Sequence, residues 1–504
     1  MSQNSGIETR SIEWVPHHAR HGSVSDQGKF WFLGNFQFFS IAIGFIGPGM
    51  GLSFGWTAAA GALGILIGTL FQAFHANQGA ELGLPQMIQS RAQFGYRGVI
   101  LPLFATFVTY LGFNIVDTIL IANGVSSLLG LNVVAVSLGV SVIGAALAIW
   151  GHDWLHRVFK VLFWISLPLF AILSIAAGAG MIEHAAPPAG GFNWVGFCTQ
   201  LAAGASYNIT YATYVSDYSR YLPPDTPRTR IISAVFAGAS LSAIWLIALG
   251  GWLATRIGDE DALVSLAHAG DGLFKGFGLA LAAASVAALV ATMGMNAYSA
   301  TLTVMTAADS LRRLRPTRRL RVAVVAALTV LWVAAASAMG SDGVAAVNKS
   351  FVVMLYLLAP WTAVNLTDYY FVRRGEYAVT HLMLPDGIYG RWRSAGLLAY
   401  GIGFFASLPF IVIPDWYEGP VARLLGDVDI GWLIGLGVTA AAYLVLTRSH
   451  DPERERDAVR QSWAELHALN EMTARTAPQP PSHQPIVPGA PLKGPTMRDV
   501  IQPP

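Results

Sequence analysis

Long apolar stretches alternate with short polar ones along almost the whole chain. Runs long enough to cross a bilayer, ~20 residues each, lie near 31–53, 57–78, 99–122, 131–150, 159–181 and 195–216. A second series follows near 231–254, 274–300, 322–340, 349–371, 394–414 and 429–447. The pattern predicts an all-α integral membrane protein of twelve transmembrane helices, numbered 1 to 12 in that order. Helix 1 is unusual. Within Phe30–Trp56, FWFLGNFQFFSIAIGFIGPGMGLSFGW, it carries Gly44, Gly47, Pro48, Gly49 and Gly51. Proline removes a backbone donor and glycine loosens a helix, so a break is expected at that cluster. Non-helical backbone survives at membrane depth only where protein buries it or a water-filled cavity meets it, which makes a broken helix a pointer to a binding site. Close helix packing through small residues, or a simple kink, is the plainer explanation of the same residues.

The starts of helices 1 to 5 (31, 57, 99, 131 and 159) recur as 195, 231, 274, 322 and 349. Five is odd, so the second set is inverted relative to the first, as in transporters built from inverted repeats. Helix 6 then corresponds to helix 1. It contains Gly204 within LAAGASYN but no proline, so a break there is signalled less strongly. The expected organisation is a cytoplasmic segment 1–30, a first repeat 31–181, a second repeat 195–371, helices 11 and 12 over 394–447, and a cytoplasmic tail 448–504. Residues 452–475 are charged enough for a surface helix, and the Pro-rich run Ala477–Pro504 is expected to be disordered.

Charge placement fixes an orientation. With the N-terminus inside, cytoplasmic segments hold Arg10, Arg20, Lys29, Arg91, Arg97, Arg157, Lys160, Arg220, Arg228, Arg230, the cluster Arg312–Arg321, and Arg373, Arg374, Arg391 and Arg393. Outer loops keep only Arg256, Lys275, Lys349 and Arg423. That asymmetry satisfies the positive-inside rule and places both ends in the cytoplasm of a cytoplasmic (inner) membrane.

Composition narrows the class further. Only 12% of the 504 residues are charged, against about 25% in soluble chains, and the mean hydropathy is +0.50. A net charge of +2 gives no argument for a nucleic-acid partner. The single Cys198 excludes an intrachain disulfide and a cysteine metal cluster. The first thirty residues lack the pattern of a cleavable signal, so helix 1 itself is expected to direct insertion. Neither a nucleotide fold, nor a zinc motif, nor a nucleophile elbow, nor a convergent acid–base set is visible, so an enzyme is not expected.

Polar groups recur at helical spacing on three helices. Helix 3 places Thr106, Tyr110, Phe113 and Asp117 on one face. Helix 6 does the same with Ser206, Thr210, Thr213 and Asp217, beside a stripe of Tyr207, Tyr211, Tyr214 and Tyr218. Helix 8 offers Thr292, Asn296, Ser299 and Thr303. Aromatic faces with a few amides and hydroxyls suit a flat heteroaromatic ligand. A single Ser or Thr more often bonds neighbouring helices. Asn208 and Asn296 are better candidates, because an amide has four hydrogen-bonding sites to satisfy. Asp117 is an intramembrane acid and so a functional candidate. It fits a cation ligand, a proton carrier, or a residue of a solvated outer vestibule. Asp217 with Arg220 resembles a local ion pair, Asp368 with Arg373 and Arg374 an interfacial anchor, and His75 with Glu81 the interfacial close of helix 2.

Several stretches are similar to the nucleobase–cation symporters, in the purine–cytosine permease branch. They are GIETRSIEWVPHHARHG before helix 1, NFQFFSIAIGFIGPGMGLSFGW in it, SDYSRYLP closing helix 6, NAYSATL in helix 8 and LLAPWTAVNLTDYYFVRRGEY in helix 10. The likeness runs over residues 7 to 447. It implies the leucine-transporter fold of five-plus-five inverted repeats with two added helices, and a secondary transporter importing a nucleobase such as cytosine or a purine. It puts substrate between helices 1, 3, 6, 8 and 10. Phe38, Phe39 and Ser40 would fall at the unwound segment of helix 1. The family often has a stacking tryptophan after glycine in helix 3; here Gly112 precedes Phe113. A glutamine of cytosine-transporting relatives falls near Tyr110. Ser206, Tyr207 and Asn208 on helix 6 and Asn296 on helix 8 would meet the ring edge. No cofactor is implied beyond the coupling cation, H+ or Na+. In sodium-coupled members the ion sits between helix 1 and hydroxyls of helix 8. Carbonyls near Ile43 and Gly44 and the hydroxyl of Thr292 are what this chain offers, whereas Asp117 would serve proton coupling, toward which the residues lean. The helix 3 departures keep related heterocycles open as cargo: a hydroxymethylpyrimidine, a pyridoxine-like vitamin or allantoin. A non-transporting membrane sensor is the rival from another class. The partners expected are one small heterocycle and the lipid bilayer.

Overall fold

The computed structural model describes residues 11–182, 190–259, 261–314, 316–339, 343–413 and 415–476. Arg10, Arg315 and the Pro-rich run 477–504 lie outside the described residues. Helices stand at all twelve predicted positions. Helix 1 is Val24–Asn35 (1a) and Phe38–Gly44 (1b), followed by Phe54–Leu82, Ile100–Leu129, Val133–Trp150 and His152–Gly178. Helix 6 is Trp194–Thr210 (6a) and Val215–Ser219 (6b), and then come Arg228–Arg256, Phe277–Leu311, Arg318–Ala338, Gly343–Thr367, Ser394–Ser407 and Gly431–Leu446. Among the described residues, seven are long and apolar enough to cross a membrane unaided, and the bent pair of helix 1 makes an eighth. Helix 8 runs on to Leu311 because its polar last turns keep helical bonding beyond the apolar core. The polar 452–475 stretch forms the helix Pro452–Thr476, as expected.

Helices 1, 2, 6 and 7 pack on one another as one group. Helix 8 packs against helices 3, 4 and 5, and helix 9 against helices 3 and 4, as a second group. Small residues permit the closest approaches. A Cβ on Gly68 of helix 2 would lie 2.3 Å from the Ala205 carbonyl oxygen of helix 6.

Helix 1 does break, most sharply ahead of its glycines and proline; within that cluster Phe45 also interrupts it, separating Phe38–Gly44 from a single turn, Ile46–Gly49. The axis turns by 55° between Val24–Asn35 and Phe38–Gly49, with Gln37 extended at φ −153° and ψ 170°. Side chains replace the backbone bonds lost there. Gln37 Oε1 accepts from the Phe39 N–H at 2.5 Å, and the Ser40 hydroxyl donates to the freed Asn35 carbonyl. Phe38, Phe39 and Ser40 thus open helix 1b rather than occupying unwound chain. Gly44 serves packing instead: a Cβ there would lie 2.3 Å from the Ile247 carbonyl oxygen of helix 7. Small-residue packing was the right reading of that position.

Helix 6 breaks without glycine or proline at the bend. Tyr211–Thr213 form a single 3-10 turn. The hydroxyls of Thr210 and Thr213 donate to the carbonyls of Tyr207 and Thr210, both at about three ångströms or less (2.7 and 2.9 Å). Tyr110 of helix 3 donates to the Thr213 carbonyl at 2.8 Å.

On the basic face, Asp368 is fully buried. It accepts from Gln93 and Tyr377 at 2.7 Å each and from Tyr443 at 2.8 Å, and pairs with Arg373. It is a buried hub rather than an interfacial anchor. Arg373 also holds Glu455 of the C-terminal helix at 3.0 Å. His75, expected at an interface, is buried and stacked on Trp361 with ring centroids 5.0 Å apart.

Candidate functional site

The two breaks meet. Tyr211 of helix 6 donates to the Gly34 carbonyl at 3.2 Å. Gln37 Nε2 donates to the Tyr207 hydroxyl at 3.0 Å, and the Ser40 hydroxyl lies 3.1 Å from the same oxygen. Around this junction four rings form a cage. Phe39 stacks on Tyr207 at 5.5 Å and meets Phe113 of helix 3 at 5.7 Å. Phe113 lies parallel to Tyr211, 5° between planes and 5.8 Å between centroids. All four are buried. Offset and edge contacts at these separations are the arrangements aromatic rings prefer.

A polar edge runs beside the cage. Asn296 Nδ2 of helix 8 donates to Asn114 Oδ1 at 3.0 Å and to Asp117 Oδ2 at 3.2 Å. Asn114 Nδ2 in turn donates to the Met293 carbonyl at 3.3 Å. Asp117 is 1% exposed, which removes the outer-vestibule reading. It lies within electrostatic reach of Tyr207 and Tyr211. The Asn296 Oδ1 atom is buried and has no hydrogen-bond partner among the described residues. An unpaired buried acceptor costs about 1–3 kcal/mol, so a ligand N–H would be welcome there.

The other expected residues lie around this centre. Phe38 is buried at the start of helix 1b. Tyr110 sits toward the basic face, its ring 4.3 Å from that of Tyr214. Asn208 is used between helices: it accepts from Asn35 at 2.9 Å and donates to Thr69 at 2.6 Å, tying helices 1, 2 and 6. Ser206, one residue before Tyr207, faces a separate cleft of about 120 Å³ lined by Met50, Thr199, Leu355, Tyr356 and Asp429 among others. Thr292 donates to the Ala288 carbonyl of its own helix at 3.1 Å. Ile43 and Gly44 are buried within helix 1b.

Sequence reasoning passed over Asn35, Gln37 and Asn114, and did not select Tyr211 from the stripe it named. A signal existed for the first two. They are the amides of an otherwise apolar run, and a buried amide needs partners. Asn114 follows Tyr110 at helical spacing and could have been read the same way.

Rings also close the route from the cage to the basic face, where Trp31 meets Tyr211 at 5.7 Å and Phe30 packs on Tyr218 at 4.5 Å. The cleft above Ser206 lies on the other side, at loop residues such as Asp427. Its link to the cage is one of sequence: Ser206 in the cleft precedes Tyr207 in the cage.

A family model described as permease for cytosine/purines, uracil, thiamine, allantoin matches residues 14–435. The chain is 35% identical over 453 residues to YxlA of Bacillus subtilis (strain 168), assigned by its name to the purine–cytosine permeases, a match covering 88% of this chain and 96% of that one. It is 24% identical over 477 residues to the purine–cytosine permease FCY2 of Saccharomyces cerevisiae (strain ATCC 204508 / S288c), covering 87% and 85%. Its fold is similar to the closed conformation of Mhp1, a nucleobase–cation-symport-1 family transporter with bromovinylhydantoin bound, at a TM-score of 0.69 and 16% identity, over 90% of this chain and all of that one. The chain belongs to the cytosine/purine permease family of nucleobase–cation symporters.

Proposed function

We propose that this protein is a cation-coupled symporter that imports a nucleobase of the cytosine or purine class across the cytoplasmic membrane by alternating access. The charge asymmetry of the loops supports twelve crossings with both ends cytoplasmic. The observation that carries the reading is the cage of Phe39, Phe113, Tyr207 and Tyr211 beside the unpaired amide oxygen of Asn296. Rings of this kind grip the faces of a planar base, and the amide oxygen takes a ring N–H.

Coupling requires the cation to change affinity for the substrate. Asp117 supplies the link, because it accepts from the same Asn296 amide that would read the base. Protonating Asp117 removes that acceptor's charge and frees the Asn296 amide to turn toward the substrate. Sodium held by the carbonyls of Ile43 and Gly44 and by Thr292 is the competing arrangement. It requires the Thr292 hydroxyl to leave the Ala288 carbonyl.

Uptake of radiolabelled cytosine, adenine, hypoxanthine and uracil into proteoliposomes, under separately imposed proton and sodium gradients, tests this. Concentrative uptake of one base, reduced about tenfold or more in Asn296→Ala by loss of a buried hydrogen bond, is expected. No uptake of any base by folded protein sinks the nucleobase claim and moves a hydroxymethylpyrimidine, a pyridoxine-like vitamin and allantoin to the front. Binding without accumulation in any gradient would instead favour a sensor.

A further inference from the structure

Where the segment before helix 1a crosses the start of helix 5, three donor atoms converge far from the cage. His21 Nε2 lies 3.2 Å from Asp153 Oδ1, and His152 Nδ1 lies 3.0 Å from the same oxygen. All three atoms fall within 4.8 Å of one another. The cluster is braced on a third element: the Gly22 N–H donates to the Tyr221 carbonyl after helix 6 at 2.9 Å, and the Tyr221 ring lies 4.1 Å from that of His152.

The far sides of the two imidazoles decide what the near sides can be. His21 Nδ1 is 2.9 Å from the Ala19 carbonyl, and His152 Nε2 is 3.4 Å from the Tyr218 carbonyl. A carbonyl only accepts, so both of these nitrogens carry the proton. In neutral imidazole the other nitrogens then hold lone pairs, and both point at a carboxylate, itself an acceptor. Three acceptors in contact need a cation among them, either a proton on one imidazole or a metal ion. A metal ligand histidine characteristically turns its remaining N–H to a backbone carbonyl or carboxylate, which is the arrangement seen twice here.

We propose that His21, His152 and Asp153 form a binding site for a divalent transition cation of the zinc class. Two imidazole nitrogens and one carboxylate oxygen are a donor set that zinc favours, with a fourth position left for water. Donors around a tetrahedral zinc with bonds of ~2.0–2.1 Å stand roughly 3.4 Å apart, close to the 3.0 and 3.2 Å separations found. The His21 side chain is 59% exposed, which gives the ion an entry path, while His152 is buried at 6% and anchors the site. Bound there, the ion staples the segment leading into helix 1a to helix 5. On the transport reading above, those elements must part for the basic face to open, so the ion is a brake on the inward-opening step.

The test is titration of chelator-washed, detergent-purified full-length protein with Zn2+ alone, followed by calorimetry. One saturable equivalent is expected, weakened about tenfold or more in His21→Ala and in Asp153→Asn. The site should be unaffected in His18→Ala and His467→Ala, which remove histidines elsewhere on the same face. Co2+ in place of zinc should give the visible absorption of a nitrogen–oxygen site, lost in His21→Ala. His21 is exposed, so that variant keeps its fold, checked by an unchanged melting temperature. No zinc bound, or binding undiminished in His21→Ala, overturns the site and leaves the two histidines holding protons only. Zinc that binds in this manner but leaves uptake unslowed overturns the brake alone.

Discussion

The two broken helices solve one problem by different means. Helix 1 turns through 55° and hands its freed backbone groups to the amide of the extended Gln37 at the corner and to the Ser40 hydroxyl of its second half. Helix 6 bends through one 3-10 turn, and its freed carbonyls go to threonines of the same turn and to Tyr110 from helix 3. A break in a membrane is therefore marked by polar side chains that replace lost hydrogen bonds. Glycine and proline are neither required for it nor sufficient to locate it. Gly44 of helix 1 does a different job, letting helix 7 approach, and Gly47 does the same for Thr57 of helix 2.

The sharpest way to break this comparison is Gln37→Leu. It strands the Phe39 N–H and removes the donor to Tyr207, two buried groups at about 1–3 kcal/mol each. Melting in detergent should fall by several degrees and uptake should be lost; an unchanged melting curve would mean that something else holds the bend. Next comes Gly44→Val, which drives side-chain atoms into the helix 7 backbone and should cost roughly 1–3 kcal/mol as overpacking. Pro48→Ala should stay within about 0.5 kcal/mol. Were the glycine–proline run a hinge, the order would reverse, with uptake falling while stability held. Thr213→Val is milder, about 0.5–1.5 kcal/mol for one hydrogen bond, since Tyr110 still supports the turn. Equal losses for Gln37→Leu and Thr213→Val would erase the distinction drawn between the bends.

The smallest effect lies outside the membrane. Burial pushes the Glu455 carboxyl up, but the Arg373 guanidinium, with Arg393 and His450 behind it, overrides this and holds it below its usual 4.5. A carboxyl whose pKa is depressed by folding contributes stability above the unfolded value and loses it as pH falls through the folded one. Hydrogen exchange over Pro452–Thr476 should therefore quicken as pH drops below 4.5, after correction for intrinsic rates, and Glu455→Gln should flatten that dependence.

Helix positions were legible because a bilayer demands ~20 apolar residues per crossing, a signal that needs no tertiary knowledge. The aromatic and amide character of the centre was legible for the same reason: Phe39, Phe113, Tyr207 and Asn296 stand out against an apolar background. Their roles were harder to read. Asn208 and Asn296 are the same residue type in equivalent settings, yet one is spent between helices and the other keeps a free oxygen. Only packing decides that. The interruption after Gly44 was legible, but the sharper bend at Gln37 was missed, because local propensity points to glycine and proline whereas that corner depends on which side chains can reach the freed groups. The His21–His152–Asp153 cluster left no trace in the sequence, since His21 stands 132 positions before Asp153 and meets the adjacent His152–Asp153 pair only once helices 1, 5 and 6 have packed.

His17, near the beginning of the chain, donates its backbone N–H to Asn470, 453 positions later, at 2.8 Å. A ribosome therefore adds 453 further residues before that segment can find this partner. Until then the lead-in to helix 1 is held only by its earlier partners, such as the Val15 N–H on the Gly83 carbonyl and the Gly22 N–H on the Tyr221 carbonyl. Docking of the C-terminal helix is thus a late event in biogenesis, and its absence would mark a molecule whose synthesis stopped short.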